Sequence, residues 1–171
     1  MLGAPNFQTK RLQVQDWTAD IKSGAAFERE VTPLLTPNVL APLPPPLQLG
    51  TTTLAKWIAA RASESVVCTI RLAENRALCG LFLLHFEPKH PTPTCHLGYL
   101  LAEPYWGQGL ATELLAGLVD WFKNEMPGTV LMAGVATNNP TSTRVLVKNG
   151  FVLAGCEFAD DVKMYTRIAQ Q

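Results

Sequence analysis

The sequence predicts a mixed α/β domain built on one central sheet, and three observations carry that expectation. Helical and strand patterns alternate through the second half, antiparallel strand patterns crowd the middle, and hydrophobic residues make up 47% of the 171. A chain of this length suits one domain, residues 1–171, and can bury roughly 70% of its unfolded surface. Elements in that order pack in layers around one core. The expected architecture is a mostly antiparallel, mixed sheet of about seven strands flanked by helices.

Each element has a local reason. In "FQTKRLQVQDW", Leu12 and Val14 alternate with polar neighbours, the mark of a half-buried strand. Asp16 can cap a helix running to about Glu30. Six of the thirteen prolines then fall between Pro33 and Pro46. Proline lacks the N–H that ladders and helices use, so this stretch reads as a stiff extended loop over the domain's own cleft, or as a ligand for a proline-reading partner. "TTTLAKWIAARA" is a helix capped near Thr51 to Thr53. "SVVCTIRLAENRALCGLFLLHFE" is a hairpin turning at Glu74 to Arg76. After the turn "PKHPTPT", "CHLGYLLAE" is another strand. Leu110, Leu114, Leu115, Leu118 and Phe122 recur at helical spacing until Pro127 and Gly128. "TVLMAGVA" is a short apolar strand, "NPTSTRVLVKNG" a helix closed by Asn149 and Gly150, and "FVLAGCEF" and "KMYTRI" the last strands.

Composition excludes several function classes. Lys plus Arg equals Asp plus Glu at 14 each, so the basic field that nucleic-acid binding needs is lacking. No run approaches the roughly 18 apolar residues of a membrane span, and "MLGAPNFQTKR" has no signal-peptide core. The expectation is a cytoplasmic protein, with no membrane partner, acting as monomer or homodimer. Cys68, Cys79, Cys95 and Cys156 show no C-x-x-C pairing and read as reduced, mostly buried thiols. None has the His/Asp setting of an acyl-enzyme nucleophile. His85, His90 and His96 lack metal-ligand spacing, so no metal is expected.

The most specific stretch is "YWGQGLATELL", Tyr105 to Leu115. Glycine reaches positive φ and allows close approach to the backbone. A glycine turn feeding a helix aims the helix's first N–H groups, and the positive end of its dipole, at whatever binds there. That makes a phosphate site; a tight turn that merely joins two elements would use the same residues. A dinucleotide fold would want G-x-G-x-x-G after the first strand of a βαβ unit. Here "GQGLAT" lacks the third glycine and lies past the chain's midpoint.

"HLGYLLAEPYWGQGLATELL" followed by "NNPTSTRVLVKNGF" resembles the GNAT superfamily of N-acetyltransferases, most of all the branch with the ribosomal-protein N-terminal acetyltransferases. "KRLQVQDW" resembles that branch's first strand, so the likeness covers nearly the whole chain. It implies acetyl-CoA as cosubstrate and an amine, on a protein N-terminus or a small molecule, as acceptor. The cofactor's diphosphate would lie on the loop Trp106, Gly107, Gln108, Gly109, Leu110, Ala111 and Thr112, through backbone N–H groups from Gly107 onward. The pantetheine arm would run along the main chain of Tyr99, Leu100 and Leu101, whose N–H groups could also hold an oxyanion.

The branch's strand usually reads Glu, aliphatic, Gly, Tyr; here it reads His96, Leu97, Gly98, Tyr99. His96 thus stands where a carboxylate takes or relays the amine's proton. An imidazole ordinarily titrates near ~6.5 and can do that work; it can equally be a hydrogen-bonded histidine at a strand end. An α-amino acceptor (ordinary pKa ~7.7–8.0) demands a milder base than a lysine (~10.4). The family's Asn-x-x-Ser maps to Asn139, a pantetheine contact, and Ser142, a cofactor contact and candidate acid for the CoA thiolate. Both residues are also common helix caps. Arg144 and Lys148, one turn apart, could meet the CoA 3′-phosphate or form a solvated basic face. The missing carboxylate keeps a second reading open, a catalytically silent acyl-CoA-binding sensor on the same fold.

Overall fold

Along β4 (Leu78–Phe86) the side chains divide cleanly: Leu81 and Leu83 join one hydrophobic cluster, Phe82 and Leu84 another. Strand alternation sends successive residues to opposite faces, so one sheet carries a core on each side. The computed structural model describes residues 3–87, 92–159 and 161–170, with the side chains of 155–159 left aside. His90 and the Cys156 side chain, both named above, lie outside that description.

The other strands are β1 (Phe7–Gln8), β2 (Leu12–Asp16), β3 (Val66–Leu72), β5 (Thr94–Leu101), β6 (Val130–Ala136), β7 (Val152–Ala159) and β8 (Val162–Ile168). Their order in the sheet is β1-β2-β3-β4-β5-β6-β8-β7. All neighbours are antiparallel except β5 and β6. The eighth strand arises because the chain turns back between Gln8 and Leu12, making β1 a short partner of β2.

Helices α5 (Leu110–Glu125) and α6 (Pro140–Lys148) cover one face. There Leu114, Leu118 and Phe122 pack with Val14, Ile70 and Phe82. The opposite face carries α1 (Thr18–Ile21), α2 (Ala25–Val31), α3 (Pro37–Leu40) and α4 (Leu54–Glu64). Trp17, Phe27 and Trp57 pack there with Leu81 and Leu83. Each such side chain, fully buried, stabilises the fold by ~1.5–3 kcal/mol.

Two local expectations differ from the structure. The helix expected from Asp16 to about Glu30 is interrupted, with Gly24 at φ 57 between α1 and α2. Asp16 still holds the entry, its Oδ1 accepting from Thr18 N at 2.7 Å. The proline segment is not uniformly extended: it winds into α3 and two 3-10 turns, Thr32–Leu34 and Pro45–Leu47. Proline is compatible with the first turn of a helix, where no N–H is needed, and Thr36 caps α3 by accepting from Val39 N. The segment is pinned to α4, as Arg61 and the Trp57 indole donate to the carbonyls of Pro46 and Leu47 at 2.5 and 3.0 Å. Buried Arg71 on β3 ties down α1 and α2 through Asp20 and Glu30, at 2.9 and 2.6 Å.

Candidate active site

The parallel pair β5–β6 opens partway along its length. Thr94, Cys95 and His96 pair with Val130, Leu131 and Met132, and the ladder ends there. β5 continues to Leu101 while paired with β4, and β6 continues to Ala136 while paired with β8. Each strand follows its other neighbour, so a gap widens between them beyond His96. Backbone groups on the facing edges need other partners, which suits an extended polar arm laid into the gap.

β5 leads from the gap to the glycine loop. The Trp106 indole N–H donates to Leu101 O at 2.7 Å, with the ring still half exposed. Gly107 and Gly109 take φ of 72° and 75°, a region costly for other residues. Leu110 is buried and anchors the start of α5. The first bond of the helix runs from Glu113 N to Gly109 O, and none of the backbone N–H groups from Gly107 to Thr112 has a backbone acceptor among the described residues. These orphan donors at a helix start fit a diphosphate. A groove of about 440 Å³ between β1 and α5 is lined by Asp120, Glu113 and Glu125, carboxylates that do not suit a phosphate.

Two supports of the loop escape a reading by motif. The Arg11 guanidinium donates to Gln108 O at 2.9 Å and pairs with Glu113 at 2.6 Å. Burial alone would raise the Glu113 carboxyl, but hydrogen bonds from Thr9 and Arg11 outweigh it and hold it below its usual range. On the other flank Glu103 accepts from Thr36 Oγ1 at 2.5 Å and Asn38 Nδ2 at 3.0 Å, which lowers its pKa. The loop is therefore braced by Arg11, just before β2, on one side, and the turn leading into it by the proline segment on the other.

Across the gap, Asn139 caps α6, its Oδ1 accepting from Ser142 N at 3.2 Å. Ser142 Oγ lies 3.3 Å from Tyr99 Oη. Burial raises the Tyr99 phenol and the Ser142 contact opposes it only in part, so the phenol keeps its proton. Asn149 does more than close α6: buried, it donates to Val145 O at 2.9 Å and to Thr112 O at 3.3 Å, tying α6 to the loop helix. Arg144 and Lys148 are exposed and have no ion-pair partner among the described residues.

His96 stands apart from that hydroxyl pair. It sits three residues before Tyr99, and strand alternation sends the two side chains to opposite faces. Its Nε2 lies 2.5 Å from Glu87 Oε1, at the end of β4. Glu87 carried no motif signal; only its place at the end of an expected strand, one turn before "CHLGYLLAE", hinted at proximity. Of the sequence-chosen residues, the structure brings together the Trp106–Thr112 loop, the end of β5 and the start of α6. It sets His96 at the mouth of the gap, on the α1–α4 side.

Solved structures share this architecture. An acetyltransferase of the GNAT family from Bacillus anthracis superposes with a TM-score of 0.76 at 16% identity, covering 96% of this chain and 99% of that one. The RimL ribosomal L7/L12 α-N-protein acetyltransferase, in complex with coenzyme A, gives 0.69 at 20% identity, covering 94% and 95%. At such identities the likeness is one of fold. Residues 11–152 match the acetyltransferase (GNAT) domain, and the chain belongs to that family. A curated relative, the ribosomal-protein-serine acetyltransferase of Escherichia coli (strain K12), is 34% identical over 83 residues, 44% of this chain and 46% of that protein. The chain thus spans about half the length of the curated relative it matches. No helix among the described residues is long and apolar enough to cross a membrane, and none of them form a cluster of three metal-binding side chains.

Proposed function

We propose that this protein transfers an acetyl group from acetyl-CoA directly to a primary amine, with a protein N-terminus as the favoured acceptor. The observation that carries the reading is the β5–β6 gap, which opens just past His96 and leads to the N–H groups of Gly107–Thr112, none with a backbone acceptor among the described residues. That pairing of an open strand edge with an anion-binding helix start fits a long cofactor with a diphosphate at one end. Membership of the family and the named activity of the 34% identical relative support the same reading.

Bound acetyl-CoA supplies a thioester carbonyl at the gap. The backbone of Gly107–Thr112 holds the diphosphate, and the edge of β5 from Tyr99 to Leu101 holds the arm and offers N–H groups to the developing oxyanion. His96 takes the proton that the amine loses as its nitrogen bonds to the carbonyl carbon. The carbon–sulfur bond breaks, and the Ser142–Tyr99 hydroxyl pair delivers a proton to the leaving thiolate. Arg144 and Lys148 offer charge to the distal phosphate.

An α-amino acceptor is favoured because a single imidazole suits an amine whose ordinary pKa is ~7.7–8.0 better than one near ~10.4. Thiol release from acetyl-CoA, measured against peptides with free N-termini, polyamines and amino acids, tests the proposal. Turnover on N-terminal peptides with acetyl placed on the α-nitrogen is expected. Tight acetyl-CoA binding without turnover on any amine would instead favour the sensor.

A further inference from the structure

His96 and Glu87 share one face of the sheet on adjacent strands. In the β4–β5 ladder His85 lies opposite His96, and Glu87 N donates to Thr94 O at 3.0 Å. Residues two apart share a face, so His85 and Glu87 point the same way, and His96 with them. Leu83 and Leu100, on the same alternation, pack beneath α1–α4 and identify that face as the one away from α5. Neighbours of the pair among the described residues include His85, whose Nδ1 lies 3.2 Å from Glu64 O at the end of α4, and Met132 opposite His96 on β6.

Glu87 Oε1 is 2.5 Å from His96 Nε2, and the two side chains are 37% and 30% exposed. An ionised carboxylate only accepts, so the neutral ring must carry its hydrogen on Nε2. Which nitrogen of a histidine is basic is decided by the hydrogen bond that the other one makes. With Nε2 engaged by Glu87 and the side chain still partly exposed, Nδ1 is the ring nitrogen left to meet a substrate.

We propose that Glu87 is a positioning residue for the transfer reaction: it holds Nε2–H and leaves Nδ1 as the nitrogen that accepts the amine's proton. The proposal rests on the acetyl-transfer reading above. When the amine nitrogen bonds to the acyl carbon and sulfur departs, its proton passes to Nδ1. The resulting imidazolium keeps its Nε2–H on Glu87, which stays an anion and stabilises the cation across a charge-assisted bond. The proton then leaves to solvent, restoring the neutral ring.

The test has two readouts on the full chain. Nitrogen-15 NMR of labelled protein, at a pH where the His96 ring is neutral by its own spectrum, should show a pyrrole-like Nε2 and a pyridine-like Nδ1. Glu87→Ala should turn this into a mixture, while Glu87→Gln, whose amide oxygen still accepts, should largely preserve it. In turnover, Glu87→Ala should lower kcat ~10–100-fold, a part of the ~10²–10⁴ that general-base assistance supplies. Acetyl-CoA affinity should hold, Glu87→Gln should recover part of the rate, and Glu87→Ala should cost nothing more in a His96→Ala background. Hydrogen on Nδ1 in the wild type, or an equal loss in both backgrounds, would overturn the proposal. If the wild type acetylates no amine, the transfer reading falls with the catalytic role, whereas the spectrum still decides whether Glu87 sets the tautomer.

Discussion

Tyr99, near the end of β5, meets Ser142, in the first turn of α6, hydroxyl to hydroxyl at 3.3 Å. The contact joins the two walls of the gap, since β5 forms one and the chain leaving β6 forms the other. Because the Tyr99 phenol stays protonated, the pair can pass a proton toward a thiolate in the gap. Ser142→Ala and Tyr99→Phe should each lower kcat ~10-fold, at the low end of acid–base effects or below it. The double variant should lose no more than the worse single one if both serve one route. Additive losses, measured at saturating acetyl-CoA, would assign the two hydroxyls to separate tasks.

Gly109 holds the αL position that opens α5. Valine there costs ~1–2 kcal/mol in backbone strain, or about 2–8 °C in Tm for a domain of this size. Its branched side chain also crowds the approach to the loop's N–H groups. Calorimetry on folded Gly109→Val should show acetyl-CoA bound at least ~10-fold more weakly, equivalent to ~1.4 kcal/mol. Unchanged affinity would remove this loop from the cofactor site.

Arg11 keeps the Glu113 carboxylate paired beside a loop that is to receive a diphosphate. Arg11→Ala leaves that negative charge uncompensated, so acetyl-CoA should bind more weakly, and Glu113→Gln in the same chain should restore part of the loss. Acid sensitivity gives a second check. The folded Glu113 pKa lies below its usual value. Its contribution to stability is therefore present above the ordinary glutamate pKa of ~4.3 and lost as pH falls through the folded value. Acid unfolding curves of Arg11→Ala should show that component reduced, since Thr9 Oγ1 and the backbone N–H of residue 11 still bond the carboxylate. Identical curves would show that the pair is a surface contact of no consequence.

Burial pushes the thiols of Cys68 and Cys95 up to about 12 and that of Cys79 to about 11. They should resist alkylation at pH 8 in the folded protein, and intact mass after incubation with acetyl-CoA should show no acetyl group on any of them. The sign for stability is the opposite of that for Glu113. The unfolded thiols ionise near ~8.5, so stability is intact below that pH and falls as pH climbs toward the folded values. A kinetically competent acetyl adduct on Cys95 would overturn direct transfer.

The fold was legible because its signals are local. Leu12 and Val14 alternate and Leu110 to Phe122 recur at helical spacing, patterns that survive any tertiary arrangement. The interruption at Gly24 and the winding of the proline segment were less so, since both depend on what packs beneath them: Phe27 under α2, and Trp57 and Arg61 under Pro46 and Leu47.

The candidate site divides along the same line. The residues alone determined the glycine loop, the helix that follows it, the Asn139 cap and the odd histidine at position 96, because each depends on backbone chemistry within a few neighbours. The tertiary structure alone decided that Glu87 reaches His96, that Arg11 reaches Glu113 across 102 positions and that Tyr99 reaches Ser142 across 43. It also decided that the β5–β6 ladder stops at His96. Such contacts are set by strand register and by which neighbour each strand follows as the sheet twists, and a one-residue slip of β5 would send His96 and Tyr99 to the opposite faces.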